Sequence, residues 1–263
     1  MRTELGIWPV RIEAEKLGEV LARRLGGELI RPWRDFGPAE TQSQKVVFQE
    51  QFGQRSQWVL VMATGIAARF IDGMLRDKYQ DPAVVVLDEA GRHAIALVGG
   101  HEGGANALAY RVANAVGAIP VVTTATDAAK PLVVGIGCRK GVSEEQIERA
   151  VRHALGRGSA GAAADDLAGI REIVTVDLKA EEPGLVAFCQ RHGIPMRVIS
   201  KQQIEARPWV SKPSEWVRQS VGLDGVCEPC ALIASARGRL VVPKTTLDGV
   251  AVAIVADEWE LGS

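Results

Sequence analysis

The sequence predicts an α/β protein made of two units with mainly parallel sheets. In its first half, short apolar runs alternate with amphipathic helical patterns, which is typical of βαβ units. Three apolar runs lead through glycine-rich sequence directly into a helical pattern. The length of 263 residues allows two such units, each with a core of its own.

The elements of the first half follow from the spacing of apolar residues. Leucines at intervals of three and four residues after Ala14 predict the first helix, and a second helix ends near Val116. Gly91 predicts a hairpin turn between two of the strands. Strands are predicted over the short apolar runs Leu5–Val10, Trp58–Met62, Val84–Leu87, Ala94–Val98 and Ile119–Thr123.

A boundary is expected near Ala128–Pro131, which gives units of residues 1–130 and 131–263, with a ligand cleft between them. In the second unit, Ser143 and Gln146 form a capping-box pattern, and Glu182-Pro183 fits a helix start. Residues 156–166 are the most linker-like segment and predict a surface loop. Strands are predicted over Leu132–Cys138, Glu172–Val176 and Val250–Ala256.

Composition and charge exclude several classes of function. The formal net charge of -1 provides no basic field for nucleic acid. The N-terminal sequence has no apolar h-region of a signal peptide, and no run approaches the roughly 18 apolar residues that span a bilayer. We therefore expect a cytoplasmic protein that contacts neither membrane nor nucleic acid.

The four cysteines are Cys138, Cys189, Cys227 and Cys230. The last two have C-x-x-C spacing, which can indicate zinc or redox chemistry. A zinc ribbon needs a second such pair or a histidine pair, and the sequence has neither. We interpret all four as buried or incidental thiols and expect no metal site.

Three turns share one design, an apolar strand followed by glycine-rich sequence and then a helix: VMATGIAAR, LVGGHEGGAN and VVGIGCRKG. Such turns lie at the carboxyl ends of strands, where ligands bind in open α/β sheets. Their glycines either let the backbone approach a ligand or only permit tight turns. Neither a P-loop nor a dinucleotide fingerprint fits the spacings, so a carboxylate-rich ligand remains open.

His101 is the histidine placed for general acid–base chemistry, because it lies inside a glycine-rich turn. The alternative is a turn residue bonded to nearby backbone. Glu102 beside it is the reserve candidate. Asp127 follows an apolar strand and is either a cleft residue or a simple turn residue. Glu228 lies in an apolar stretch and needs a partner if it is buried.

Several motifs occur together in an order that resembles the CbiG family of cobalt-precorrin-5A hydrolases. They cover most of the chain: ATG-x-x-x-R, DKxxDPAVVVxDE, GHxGGAN, TTATD, GIGCRKG, T-x-D-x-K-x-x-E-P-G-L and V-C-E-P-x-A. The chain departs from the family at Gly99, Glu102 and Cys230. The segment that the family usually carries between TTATD and GIG is absent.

The resemblance implies a ring-contracted cobalt tetrapyrrole as substrate in the anaerobic route to cobalamin. Its δ-lactone would be opened and a two-carbon unit released as acetaldehyde. No protein cofactor is implied, because cobalt travels with the substrate. Lys179 with Glu182 is either a helix-start ion pair or part of a site in the second unit. The full set of expected substrate-binding residues is Thr64, Gly65, Arg69, Gly100, Gly103, Gly104, Asn106, Thr124, Gly137, Arg139, Lys140, Lys179 and Glu182.

Two other functions remain open at this point. One is a non-catalytic protein that binds or channels tetrapyrroles for a methyltransferase of the same route. The other is a nucleotide-binding α/β enzyme. A transient contact with such a methyltransferase and a homodimer are further expectations about partners.

Overall fold

The computed structural model describes residues 3–36, 43–77, 79–158, 167–235 and 237–257, except for the side chain of Trp216. The chain divides into two compact units, Met1–Thr124 and Ala125–Ser263. The sequence places the division slightly later, after Lys130. The expected cleft between the units stays a prediction.

Unit 1 contains a six-stranded sheet with the strand order β2-β1-β3-β4-β5-β6. Its strands are β1 (Thr3–Pro9), β2 (Glu28–Leu29), β3 (Arg55–Val61), β4 (Ala83–Leu87), β5 (His93–Val98) and β6 (Ile119–Val121). Its helices are α1 (Glu15–Leu25), α2 (Pro32–Asp35), α3 (Gln44–Phe52), α4 (Thr64–Ile71) and α5 (Ala105–Val116).

The direction of the strands in unit 1 changes once. β1, β2, β3 and β4 are parallel, whereas β5 runs antiparallel to β4 and parallel to β6. The reversal is the predicted hairpin, with Gly91 at φ +68° in its turn. The carboxyl ends of β5 and β6 therefore lie at the opposite edge of the sheet from those of β1, β3 and β4.

Helices cover both faces of this sheet, as expected for largely parallel strands. Residues of α1 and α5 pack on one face with Val59 and Val85. Residues of α3 and α4 pack on the other face around Trp8 and Trp58. The central strands β3 and β4 are buried along most of their length, which explains their continuous apolar sequence.

Unit 2 contains a five-stranded sheet with the strand order β10-β11-β7-β8-β9. Its strands are β7 (Leu132–Cys138), β8 (Ile170–Val176), β9 (Met196–Ile199), β10 (Arg239–Leu247) and β11 (Val250–Ala256). Its helices are α6 (Ala125–Ala128), α7 (Glu144–Leu155), α8 (Pro183–His192), α9 (Lys201–Glu205), α10 (Glu215–Val221) and α11 (Cys227–Ala234).

In unit 2 the strands β7, β8 and β9 are parallel, and β11 and β10 form an antiparallel hairpin beside β7. α7 and α8 cover one face, and α9, α10 and α11 cover the other. The predicted α/β class with mainly parallel sheets is therefore confirmed. The predicted capping box is present, because Gln146 N–H donates to Ser143 and the Gln146 side chain accepts from the Ser143 N–H. The linker-like segment lies mostly outside the described residues.

Candidate functional site

The turn between β5 and α5 carries the predicted catalytic residues His101 and Glu102, and both are exposed. The turn closes on itself, because Ala105 N–H donates to the Gly99 carbonyl at 3.1 Å. A Cβ atom on Gly103 would come within 2.8 Å of that same carbonyl oxygen. Glycine at position 103 is therefore a packing requirement of the turn, which holds His101 and Glu102 at its outer side.

Two predicted binding residues join this turn to the segment after β6. Asn106 Nδ2 donates a hydrogen bond of 3.1 Å to Thr124 Oγ1. Gly100 lies beside them, since a Cβ atom there would be 2.7 Å from Thr124 Cγ2. The structure thus brings Gly100, Asn106 and Thr124 together, and Gly103 and Gly104 belong to the same turn.

Thr64, Gly65 and Arg69 lie elsewhere, at the exposed start of α4. Arg69 Nη1 donates to the Gly65 carbonyl at 3.0 Å. This turn follows β3, whereas the turn of His101 follows the antiparallel β5. The two glycine-rich turns of unit 1 therefore lie at opposite edges of its sheet. They do not form one site within unit 1.

Asp127 belongs to unit 2, where it lies in α6. Its carboxylate is 3.8 Å from Lys130 Nζ, and the residue is half-buried. Its assignment as a catalytic residue stays a prediction.

Unit 2 contains a cavity of about 340 Å³ at the carboxyl edge of β7 and β8. This is the edge at which ligands bind in open α/β sheets, and the volume is within the usual range for small-molecule pockets, about 300–1,000 Å³. The sides are formed by the ends of β7, β8 and β10 and by α10 and α11. Its lining residues are Gly137, Cys138, Arg139, Val176, Leu178, Lys179, Ser214, Val217, Val221, Val226, Cys227, Lys244, Thr246, Leu247, Asp248, Gly249, Val250 and Ala251.

The charged groups of this lining are predominantly positive. Arg139, Lys179 and Lys244 contribute cations, and Asp248 is the one carboxylate among the described lining residues. Asp248 is already paired, since its Oδ2 lies 2.7 Å from Arg149 Nη2. The predicted residue Lys140 is exposed and next to Arg139 but is not part of the lining. An apolar cavity with a cationic margin suits a ligand that combines an apolar body with carboxylates.

Glu182 is buried and joins the cavity-lining residue Lys179 to the turn after β7. Its Oε1 accepts a hydrogen bond of 2.6 Å from Gly141 N–H, and its Oε2 lies 3.1 Å from Lys179 Nζ. Burial alone would raise the pKa of Glu182, but the Gly141 N–H and the Lys179 ammonium outweigh it and lower that pKa. The alternative of an ion pair at the start of α8 is thus observed, and Lys179 also lines the cavity.

Gly135 and Gly137 lie inside β7, which spans the predicted strand Leu132–Cys138, and not in the turn that follows it. A Cβ atom on Gly135 would be 1.8 Å from the Cys227 carbonyl oxygen, and one on Gly137 would be 3.3 Å from Val226 Cβ. A glycine inside a strand often marks close approach of another backbone, which here is the start of α11. The turn after β7 contains Gly141, at φ +80°.

Glu228 is buried at 1% exposure and accepts three hydrogen bonds. Ser211 donates through its N–H to Oε2 at 2.8 Å and through its hydroxyl to Oε1 at 2.5 Å. Lys244 donates through its backbone N–H to Oε1 at 2.9 Å. The carboxylate therefore has the partners that burial requires, and it joins α11 to β10. Its catalytic assignment stays a prediction.

Sequence reasoning missed Lys244 and the turn that follows it. Asp248 and Gly249 form the turn between β10 and β11, with φ values of +51° and +83°. Asp-Gly between two apolar runs is a strong hairpin signal, because both residues tolerate positive φ. That signal could have placed β10, and with it Lys244, beside the strands of unit 2.

All four cysteines are free and buried, which confirms the interpretation as buried thiols. Burial raises the pKa of Cys138 to about 11 and that of Cys227 to about 12. Among the described residues, no group of three or more His, Cys, Asp or Glu side chains could hold a metal ion. Within the same residues, no helix has the length and apolar character needed to cross a membrane.

Two family models match consecutive parts of the chain. The model described as Cobalamin synthesis G N-terminal matches residues 46–127. The model described as Cobalamin synthesis G C-terminus matches residues 132–255. Residues 128–131 separate the two matches.

Curated relatives cover different parts of the chain. Cobalt-precorrin-5A hydrolase of Salmonella typhimurium is 49% identical over 79 residues, which span 30% of this chain and only 22% of that protein. Cobalt-precorrin-5A hydrolase of Priestia megaterium is 22% identical over 294 aligned positions, covering 74% of this chain and 77% of that protein. Protein CobE of a Sinorhizobium species is 30% identical over 132 residues, covering 50% of this chain and 82% of CobE.

Proposed function

Because the chain belongs to the CbiG family, we propose that it is a cobalt-precorrin-5A hydrolase of cobalamin biosynthesis. The observation that carries the proposal is the match of both family models, in order, over residues 46–127 and 132–255. The cationic margin of the unit 2 cavity supports it, because the substrate bears acetate and propionate groups.

The proposed reaction opens the δ-lactone and then expels a two-carbon unit. Water adds to the lactone carbonyl while a general base takes its proton, and the acyl–oxygen bond breaks to leave a carboxylate and a hydroxyl group. A base then takes the hydroxyl proton, the carbon–carbon bond to the macrocycle breaks, and acetaldehyde leaves. The electron pair stays on the macrocycle, which gains a proton. Cobalt enters and leaves as part of the substrate.

His101 is the proposed base. An imidazole titrates near neutral pH, and His101 is exposed on a turn whose backbone is fixed by packing of Gly103 on Gly99. The N–H groups of residues 100–104 are the proposed donors to the oxyanion that develops on the lactone oxygen. The Asn106–Thr124 hydrogen bond supports this turn from the segment after β6.

An assay of acetaldehyde release from cobalt-precorrin-5A tests the assignment of His101. We expect His101→Ala to lower the rate by roughly 10²–10⁴-fold, with little change in substrate affinity. The matched control is His93→Ala, because His93 is also exposed in unit 1 but lies at the start of β5. If folded His101→Ala protein works at the parent rate, His101 is not the base, and Glu102 and Asp127 become the candidates.

The same assay separates the enzyme from the non-catalytic alternative. A tetrapyrrole-binding or channelling protein would bind cobalt-precorrin-5A and release no acetaldehyde. Contact with a methyltransferase of the route stays a prediction under either function.

A further inference from the structure

Strand β10 contains a bulge that sets the position of one lysine. Val242 pairs with Ile254 and Thr245 pairs with Val252, so Pro243 and Lys244 both stand opposite a single residue of β11. Such a bulge re-aims side chains, and proline is tolerated in it because proline has no N–H for the strand ladder.

The buried carboxylate of Glu228 is bonded to this bulge. It accepts the backbone N–H of Lys244 at 2.9 Å, and its other bonds go to Ser211. A buried carboxylate is costly unless its oxygens are hydrogen-bonded, so Glu228 strongly favours the backbone conformation that supplies the Lys244 N–H. Glu228 thereby fixes the backbone from which the Lys244 side chain extends.

Lys244 lies at the boundary of two cavities. Lys244 lines the apolar cavity of about 340 Å³ and a neighbouring one of about 450 Å³, whose lining also includes His153 and Arg157. Burial raises the pKa of Cys227 on the cavity wall, and the positive charge of Lys244 acts on it in the opposite direction. Among the described residues, no carboxylate forms an ion pair with the Lys244 ammonium.

The two other cations of the apolar cavity differ from Lys244 in their surroundings. Lys179 is paired with the buried Glu182 at 3.1 Å. The Arg139 side chain is exposed beside Gly249 of the β10–β11 turn, whose carbonyl accepts the Arg139 backbone N–H at 3.0 Å. Lys244 is half-buried and lines the same cavity as the apolar residues Val226, Leu247 and Val250. A cation beside an apolar wall favours a ligand that brings its own carboxylate.

We propose that the unit 2 cavity binds the edge of a polycarboxylate tetrapyrrole, with Lys244 pairing to one carboxylate arm and Glu228 positioning Lys244. The ring edge lies against the valine and leucine side chains. This inference rests on the proposed function for the identity of the ring system, and it assigns Glu228 a positioning role instead of a catalytic one.

Uroporphyrin III is a suitable probe, because it has eight carboxylates and no lactone, so binding is measured without turnover. We expect it to quench tryptophan fluorescence with saturation, and a cationic tetra(N-methylpyridyl) porphyrin to bind at least about tenfold more weakly. Lys244→Ala should raise the Kd for uroporphyrin about tenfold or more, since a charge-assisted hydrogen bond is lost. Lys244→Arg should stay within about threefold of the parent, because the charge is retained.

Two controls make the result specific. Lys16→Ala removes the same charge from an exposed position on α1 and should leave the Kd unchanged. Glu228→Gln should weaken binding in the parent but much less in the Lys244→Ala background, because its effect passes through Lys244.

Equal affinity of parent and Lys244→Ala protein, or no uroporphyrin binding at all, would overturn the proposal. Equal losses for Glu228→Gln in both backgrounds would remove its positioning role. These outcomes are independent of the proposed function. Acetaldehyde release without Lys244-dependent binding would contradict only the inference about the cavity, and binding without acetaldehyde release would contradict only the hydrolase assignment.

Discussion

The Glu228 carboxylate on α11 accepts the backbone N–H of Lys244 on β10 at 2.9 Å, across 16 positions of sequence. Glu228 also accepts both the N–H and the hydroxyl of Ser211. One buried carboxylate therefore connects a helix, a bulged strand and a loop at the wall of the unit 2 cavity.

This arrangement predicts a large effect of Glu228 on stability. We expect Glu228→Ala to lower the free energy of unfolding by about 3 kcal/mol or more, because two donors of Ser211 and one of Lys244 lose their acceptor. Urea denaturation measures the change. Ser211→Ala, which removes one of the three hydrogen bonds, should cost about 1 kcal/mol. Wild-type stability of the Glu228→Ala protein would show that the buried carboxylate contributes nothing to the fold.

Gly135 provides a second test, of the close packing of α11 on β7. A Cβ atom there would be 1.8 Å from the Cys227 carbonyl oxygen, so Gly135→Ala must displace the helix. We expect a loss of about 3 kcal/mol or more in the free energy of unfolding. Gly169→Ala is the matched control in the same unit, because its Cβ would meet only an ordinary contact at 3.6 Å. Similar stabilities for the two variants would contradict the packing described for α11.

Much of the fold is predictable from local sequence. The hairpin of β4 and β5 shows both what local sequence predicts and what it does not. The apolar runs and Gly91 predict the hairpin correctly, since both signals lie within about 15 residues. The consequence of the hairpin was missed. Reversing β5 moves the His101 turn to the opposite edge from Thr64 and Arg69.

The candidate site was less predictable than the fold, because most of its contacts join segments that are distant in the sequence. Asn106 and Thr124 belong to consecutive segments, and a hydrogen bond joins their side chains. Gly135 lies in a correctly predicted strand, but only the tertiary contact with Cys227 reveals that this glycine accommodates a helix. Lys244 has no motif of its own, and its position depends on a bulge and on the distant Glu228.

The turn after β7 predicts a salt-dependent contribution to substrate binding. Replacing the exposed Arg139 and Lys140 together by Ala should weaken substrate binding more at low salt than at high salt. The reason is that dissolved salt screens the attraction between exposed charges, with a screening length of about 10 Å at 0.1 M. Titrations at two ionic strengths measure the difference. The control removes two exposed cations of α1 by Lys16→Ala and Arg23→Ala. Unchanged affinity at low salt would remove this turn from the anion-binding margin.

The lowered pKa of Glu182 predicts that the stability this residue contributes is lost as the pH falls. Its folded-state pKa is lowered, so its contribution is complete above the unfolded-state pKa of about 4.3 and is lost as the pH falls through the folded value. The destabilisation by Glu182→Gln should therefore be larger at pH 7 than at pH 3. Urea denaturation at both pH values measures it, with exposed Glu181→Gln as the control. An equal loss at both pH values would contradict a role for the charge of Glu182.

The hydrolase assignment is tested most directly by reaction of the purified protein with cobalt-precorrin-5A in H₂¹⁸O. Mass spectrometry of the tetrapyrrole product and quantification of acetaldehyde follow both steps at once. Hydrolytic opening of the lactone predicts one ¹⁸O atom in the newly formed carboxylate and one equivalent of acetaldehyde per substrate. Unchanged cobalt-precorrin-5A after incubation with folded, tetrapyrrole-binding protein would contradict the account.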